Sequence, residues 1–362
     1  MNLTPERILV YRIGQIGDTL AALPSLWALR NKFPRANIVV LSEIPSKSTY
    51  LPPEAVLPGR GLVDGFEKYP GGASIKNLLP AWRKISQLCL QGYDTLVYLV
   101  PSDRTRKQRL RDRLFFRLCG IRHFLGFKGF VQNHRTRQSD GSLLPLPKEA
   151  DALLGRLRLD DLTVPMPDQG SLDLRITDLE RAQAIKWWQQ QGYQVAPDNW
   201  MAICVSGKTT AQLWPLERYS AVVRLLIDNH GLLPVIMGGN EDRETGEKLL
   251  SLWGNGFCAA GRLKVRESAA LMKGARFYMG NNTGVMHLAA SVGTSCVGIS
   301  SSRDWPGIWE PYGLGHQVLR FEVPCSGCQL AICNQDLKCL RGIEVQQVYS
   351  ACLKVLGRAG KP

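Results

Sequence analysis

Three groups of residues in this chain have the types and spacing to do chemistry. The first lies in 279–293, which reads as a strand end, a polar turn and a helix. Asn281, Asn282 and Gly284 are turn formers that tolerate positive φ. Val285, Leu288, Ala289 and Val292 then recur at helical spacing, and Gly293 closes the helix as a C-cap. A helix opening straight after a turn has free backbone N–H groups and a dipole that favours an anion. Thr283 adds a hydroxyl donor and His287 stands one turn in. The segment is read as a seat for a nucleotide diphosphate. The competing reading is an ordinary strand, turn and helix with a buried histidine.

The second group surrounds Asp18. Residues 7–13 (RILVYRI) form a nearly continuous apolar run, which suits a parallel strand buried on both faces. Gly14-Gln15-Ile16-Gly17-Asp18 follows, and a helix is expected over 19–33 until Pro34 stops it. Asp18 therefore falls in a first helical turn, where the dipole stabilises a carboxylate by roughly 0.3–1 kcal/mol. It also falls beyond a strand's carboxyl end, where open α/β sheets place ligands. A helix-starting acid with no other role is the alternative. The Gly14/Gly17 spacing is too short for the dinucleotide fingerprint G-x-G-x-x-G.

The third group is Cys325, Cys328, Cys333 and Cys339, spaced C-x2-C-x4-C-x5-C. Four thiolates so close in sequence can close a tetrahedral site for zinc or iron. Such a metal would be structural, because four protein ligands leave no open position. Reduced loop thiols able to form a disulfide are the alternative. Cys89, Cys119, Cys204, Cys258, Cys296 and Cys352 are scattered among apolar residues and read as core thiols.

Other elements must position these groups. The apolar runs at 37–41 and 95–100 predict strands, 78–91 a helix, and the Pro- and Gly-rich 52–72 an irregular loop. Between Arg104 and Arg137 stand eleven Lys or Arg against one acid, Asp112. Leu110, Leu114 and Phe115 recur helically there, so an amphipathic helix carries Arg104, Arg106, Lys107, Arg109 and Arg113 near or on a cationic face. Like charges at i,i+4 repel, so an anion-binding face is favoured over a merely solvated one. Aromatic residues do not interleave with the charges as a base-stacking platform requires. The stretch 162–170 (LTVPMPDQG) breaks the composition. Beyond it come a short strand at 172–176, a helix at 178–191 and a strand at 201–205. A polar loop follows, Ser206-Gly207-Lys208-Thr209-Thr210, then a helix at 217–229. The strand at 233–237 ends in Gly238-Gly239-Asn240-Glu241-Asp242, whose glycines let a ligand approach the backbone. A short strand at 258–261, a helix at 268–274, a last strand at 296–300 and a terminal helix at 344–356 complete the reading.

Strand, helix, strand order implies parallel sheets. The expected fold is α/β, with two Rossmann-like domains facing an interdomain cleft. They span 1–168 and 169–342, with a C-terminal helix in 343–362 that packs back on the amino-terminal domain. Such a pair suits a transferase holding two substrates. No D-x-D element is present, and the absence of G-x-x-x-x-G-K-[ST] argues against a phosphoryl-transfer ATPase. At 362 residues, 44% hydrophobic and 21% charged, the chain has no apolar run near a membrane span. Its start does not read as a secretory signal, so a cytoplasmic chain with reduced thiols is expected. A net charge of +14 calls for a polyanionic partner, whether nucleic acid, an anionic membrane face or a phosphorylated substrate.

Taken together, residues 8–20 with Pro24, Leu29 and Arg30 resemble the opening of glycosyltransferase family 9, the ADP-heptose:lipopolysaccharide heptosyltransferases. Residues 282–290 (NTGVMHLAA) resemble its second signature, and 309–313 (WEPYG) its W-x-P-x-G segment. The resemblance implies a GT-B fold and inverting, metal-independent transfer from a nucleotide sugar such as ADP-heptose, with no cofactor for catalysis. It makes Asp18 the general base that takes the acceptor's proton. It sets Thr283, Gly284 and His287 on the diphosphate and sugar, and Glu241 or Asp242 on the ribose. Ser206, Lys208, Thr209, Gln212, Gly239 and Asn282 complete the donor side. Gly14, Gly17 and the basic helix would meet an anionic glycolipid such as lipopolysaccharide core, with peripheral contact at the inner membrane face and no nucleic acid. Two positions depart from the pattern. Asn282 replaces an acid, and Gln212 replaces the lysine of K-x-W-P. The lost lysine removes a charge that would offset the leaving diphosphate, and Lys208 stands four residues earlier to replace it. Otherwise the chain uses another nucleotide sugar or binds one without turnover. An RNA-binding protein rests on charge alone.

Overall fold

The computed structural model describes residues 4–43, 51–69, 86–102, 104–130 and 135–358. The chain forms two compact units, Met1–Arg135 with Pro147–Leu174, and Thr136–Leu146 with Arg175–Pro362. The division therefore falls after Leu174 and not at the composition break. The residues beyond that break still bond to the first unit: Trp27 Nε1 donates to the Asp173 carbonyl at 3.0 Å.

The first unit is built on a parallel sheet of order β3-β2-β1-β4-β5. Its strands are β1 (Arg7–Tyr11), β2 (Asn37–Glu43), β3 (Gly65–Tyr69), β4 (Thr95–Tyr98) and β5 (His123–Leu125). β1 is the centre, with Leu9 opposite Val39 on one side and Leu96 on the other. Its apolar run is buried because helices cover both faces of such a sheet. Helix α1 (Ile16–Lys32) opens three residues earlier than expected and buries an almost unbroken face from Thr19 to Leu29. The basic helix α2 spans Arg106–Leu118, and α3 (Glu149–Arg158) packs on α1. β3 lies inside the stretch read as an irregular loop. It is an edge strand in which Glu67 and Lys68 hide the apolar signal. Of the helix expected at 78–91, residues 78–85 lie outside the described residues and 86–91 are helical.

The second unit carries a parallel sheet of order β11-β10-β9-β6-β7-β8. Its strands are β6 (Trp200–Cys204), β7 (Leu233–Ile236), β8 (Phe257–Cys258), β9 (Tyr278–Asn281), β10 (Cys296–Ile299) and β11 (Gln317–Leu319). The helices are α4 (Asp178–Gln190), α5 (Leu216–His230), α6 (Arg243–Trp253), α7 (Val265–Met272), α8 (Gly284–Ser291), α9 (Lys338–Arg341) and α10 (Val345–Arg358). Residues 172–176 form no strand; Arg175 at φ 47° breaks the extended backbone. β11 and α6 were not foreseen. In α6 a central glycine masks the helical period, and Gly246 is there because a Cβ would stand 2.7 Å from Ile236. The terminal helix α10 packs on α5 and β10 of the second unit, contributing Val348, Cys352 and Val355 to its core.

Candidate functional site

In open parallel sheets, ligand sites form beyond the carboxyl ends of strands where the strand order reverses. That reversal lies between β1 and β4 in the first unit and between β6 and β9 in the second. The loops after these strands hold most of the residues singled out by sequence.

In the first unit, Asp18 is the third residue of α1 and its carboxylate accepts the Gln15 N–H at 2.8 Å. The other oxygen lies 3.3 Å from the guanidinium of Arg12, a side chain only 2% exposed while Asp18 is 21% exposed. Gly14 sits at φ 113°, and a Cβ there would fall 2.5 Å from the Asp18 carboxyl carbon. The glycine is therefore required by the acid. Gly17 lies in the first helical turn.

Sequence reading missed what stands behind Asp18. Arg12 donates to the Leu99 carbonyl at 2.7 Å, Arg156 to Val100 at 2.7 Å, and Glu149 accepts the Ser102 N–H at 3.0 Å. These charged groups, all 2% exposed or less, satisfy the backbone where β4 ends. Arg12 inside an apolar run was the signal available. Burial pushes Glu149 up to about 7, against the pull of Arg156 and Arg12. A raised native value means the folded state holds the proton more tightly. The stability this confers is full below the ordinary value of 4.5 and is lost as pH rises through about 7. Glu149→Gln should remove that loss, so the variant gains about 3 kcal/mol relative to wild type between about pH 4.5 and pH 8. Urea midpoints at the two pH values read it.

The basic helix is less free than its composition suggested. Arg104 lies 3.8 Å from Asp112, the helix's buried acid, which also accepts the Tyr98 hydroxyl at 2.6 Å. Arg109 covers the Phe130 ring at 4.2 Å, and Arg113 covers Phe124 and Phe127 at 5.4 and 5.8 Å. Aromatic rings do accompany these charges, then, though from the segment after the helix. Arg106 and Lys107 are exposed.

In the second unit, β9, β6 and β7 are neighbours, so the loops that follow them lie side by side. Asn281, the last residue of β9 and fully buried, ties two of them together. Its amide nitrogen donates to the Val205 and Ser206 carbonyls at 2.9 and 3.0 Å. Its side-chain oxygen accepts the Trp214 N–H at 3.2 Å and the Tyr219 hydroxyl at 2.9 Å. Asn281 is thus a strand residue, and neither it, Asn282 nor Gly284 adopts positive φ. Thr283 caps α8 in extended geometry, and its hydroxyl lies 4.0 Å from the Cys204 sulfur, which contacts the Ser206 hydroxyl at 3.1 Å. The Met286 and His287 N–H groups turn back on the Thr283 carbonyl at 3.1 and 3.4 Å, so the groups ahead of them, at Gly284 and Val285, are the ones with no partner within the helix. His287 is half-buried, its ring edge-on to Trp309 at 6.5 Å, so it is not the buried histidine of the plainer reading.

After β7, Asp242 repeats the device seen at Asp18. Its carboxylate accepts the Gly239 N–H at 2.8 Å and crowds the place where a Cβ of Gly238 would stand. Burial raises its pKa, opposed by the Gly239 bond and a hydrogen bond with Ser206. Glu241 is exposed and folds over Gly239. In the loop after β6, Lys208 is exposed and the Thr209 hydroxyl donates to the Gln212 side chain at 3.2 Å.

Cys325, Cys328, Cys333 and Cys339 line one cavity of about 20 Å³, together with Ser301 and Arg303. Among the described residues no group of three or more His, Cys, Asp or Glu is disposed to hold a metal. The tetrahedral set expected from spacing is therefore not drawn together, although its donors surround a single space. Burial and the neighbouring Cys328 and Cys339 push the Cys325 thiol up. Gln329, Asp336 and Leu337 in the same loop have positive φ, which is costly without glycine. Ala211 of the turn after β6 donates to Ala331 at 3.3 Å, joining the two loops. Cys89, read as a core thiol, is exposed.

The model for glycosyltransferase family 9 (heptosyltransferase) matches residues 152–338, more than half of the chain. The chain belongs to glycosyltransferase family 9. A search of curated proteins finds no match. Among solved structures, the family 9 glycosyltransferase of Veillonella parvula is similar at TM-score 0.76 and 18% identity, over 99% of each chain. The ADP-heptose LPS heptosyltransferase II of E. coli follows at TM-score 0.67 and 17% identity, over 98% of this chain and 100% of that one. The E. coli heptosyltransferase WaaC with ADP has TM-score 0.62 and 15% identity, over 96% and 99%. At these identities they share the fold, GT-B. In this glycosyltransferase, then, the two sheets are the Rossmann-like halves expected from the strand pattern. Among its described residues no helix is long and apolar enough to cross a membrane.

Proposed function

We propose that this glycosyltransferase moves a heptose from an ADP-linked donor to an anionic glycolipid of the lipopolysaccharide-core kind, with inversion. The observation that carries the reading is the opening of α8 at the end of β9, beside Ser206 and Asp242. Anion-favouring N–H groups, hydroxyls and a carboxylate meet there, as a nucleoside diphosphate needs. Two similar structures support ADP and heptose: one is an ADP-heptose transferase and the other holds ADP. In the proposed step the acceptor hydroxyl oxygen attacks the anomeric carbon as the bond to the diphosphate breaks. ADP leaves with the electron pair, and Asp18 takes the hydroxyl proton. Arg12, 3.3 Å away, and the Gln15 N–H fix the direction of that carboxylate. Thr283, Gly284 and His287 face the diphosphate and sugar, and Glu241, exposed, faces the ribose. Lys208 supplies the charge that Gln212 lacks. All ten cysteines are free, which supports a cytoplasmic setting.

A thermal-shift panel of ADP-, UDP-, GDP- and dTDP-sugars tests the donor. The ADP-sugar at 100 times its dissociation constant should add roughly 2.7 kcal/mol of stability. A shift with none of the panel, or with UDP alone, overturns it. A second reading, a binder without turnover, draws on Gln212 being engaged by Thr209. Donor binding without transfer would decide for it.

The same reading gives Cys325, Cys328, Cys333 and Cys339 a structural zinc or iron. Thiolates suit either metal, all four donors surround one cavity, and the left-handed residues need something to hold them. The metal would stiffen the loop that bonds to Ala211. Metal analysis should find about one ion per chain, lost in Cys328→Ser with a fall in stability of roughly 2 kcal/mol or more. Metal-free protein of unchanged melting temperature would end this part.

A further inference from the structure

We infer that the exposed face of α2 docks on an anionic lipid bilayer, a proposal that rests on the reading of a lipid-borne acceptor. Leu110, Leu114 and Leu118 are 70%, 59% and 60% exposed. They recur every fourth residue, so they form one stripe and not scattered apolar residues. At about 100° per residue the stripe covers an arc of roughly 80°. Arg106, Arg113 and Arg117 line one flank, Arg111 the other, and Lys107 stands at its amino-terminal end; all five are exposed. Asp112, the only acid of the helix, is buried with Tyr98 and pairs with Arg111 at 2.7 Å, so it offsets that one flank and leaves Arg106, Lys107, Arg113 and Arg117 without an acid on the helix beside them. Cys89 reaches the Leu118 carbonyl at 3.5 Å and brings Leu90, 89% exposed, to the same end of the helix.

This is the pattern of a helix lying in a membrane interface. Leucines enter the acyl boundary while arginine and lysine stems reach outward to lipid phosphates. A second copy of the chain would bring Arg106, Lys107, Arg113 and Arg117 against the same four cations, which disfavours self-association. Charge complementarity therefore selects anionic lipid.

Co-sedimentation with vesicles tests the surface. The chain should bind vesicles containing phosphatidylglycerol, bind phosphatidylcholine vesicles far less, and release with salt. Leu110→Gln/Leu114→Gln/Leu118→Gln should weaken binding roughly tenfold or more, since partial insertion realises only part of each leucine's transfer energy. Arg117→Gln should weaken it about fivefold, the factor for one basic residue near such a surface. Should the triple variant misfold, Arg117→Gln and the salt dependence still decide. Equal binding to both lipids, or a triple variant that binds like wild type, overturns the inference. A wild type that is dimeric where the triple variant is monomeric, with neither on vesicles, also overturns it. Transfer to a soluble, deacylated acceptor should be unchanged in the triple variant and slowed only for vesicle-borne acceptor. Vesicle binding without any transfer would sink the functional reading and leave the docking face standing.

Discussion

Replacing Asp18 by asparagine should lower turnover by roughly a hundred- to ten-thousandfold, the range a positioned general base supplies. Donor affinity should stay within about twofold of wild type, because Asp18 belongs to the acceptor side of the proposed reaction. Asparagine keeps the size of the side chain and a bond to the Gln15 N–H, so the fold should persist. Single-turnover rates with donor saturating, beside donor titration, separate the two effects. Gly14→Ala makes an instructive partner. It leaves the carboxylate in place chemically but forces a Cβ to within 2.5 Å of it at a φ of 113°. The Asp18 carboxyl must move, so turnover should fall although no reacting group is lost. Unchanged turnover in Asp18→Asn would remove the base from the mechanism.

Asn281→Ala should destabilise the second unit as much as truncating a large core side chain would. All four hydrogen-bonding positions of its amide are used, two as donor and two as acceptor. Truncation strands two carbonyls, the Trp214 N–H and the Tyr219 hydroxyl in a buried setting. A stranded buried group costs about 1–3 kcal/mol, and relaxation recovers part, so about 3–5 kcal/mol should be lost. Urea unfolding measures it. Donor affinity should fall with it, since the Val205–Ser206 backbone is no longer pinned beside α8. Asn282→Ala, one residue on, should cost less than about 0.5 kcal/mol. Its amide only reaches the Ser300 hydroxyl at 3.5 Å. A similar loss in both variants would contradict the role given to Asn281.

The contrast between these neighbours shows what could be read from the chain. Buried parallel strands announce themselves, because residues such as 8–11 and 201–204 are apolar on both faces. The loops that follow them, with Gly14, Gly238 and Thr283, could be placed from the strand ends. What escaped reading depends on long-range pairing. Nothing local marks Asn281 as a hub, because its partners lie about 60–75 residues away. Glu149 and Arg156 look like an ordinary helix face until β4's end is seen beside them. The period of the leucines in α2 marked an amphipathic helix but not which side packs: Asp112 and Phe116 are buried and the leucines are exposed. Short edge strands such as β3 and β11 bury little and leave little trace.

The strip Thr136–Leu146 has a practical consequence. The polypeptide leaves the first unit at Arg135, returns at Pro147 and departs again after Leu174. No single scissor cut yields two self-sufficient halves. A fragment ending at 174 carries the strip without the Ser326 and Pro306 carbonyls that Arg137 and Leu146 bond to at 2.5 and 2.8 Å. A fragment starting at 175 exposes those same acceptors. Dissecting this gene into expressible pieces calls for supplying the eleven-residue strip as a peptide, or for a permuted chain that rejoins it.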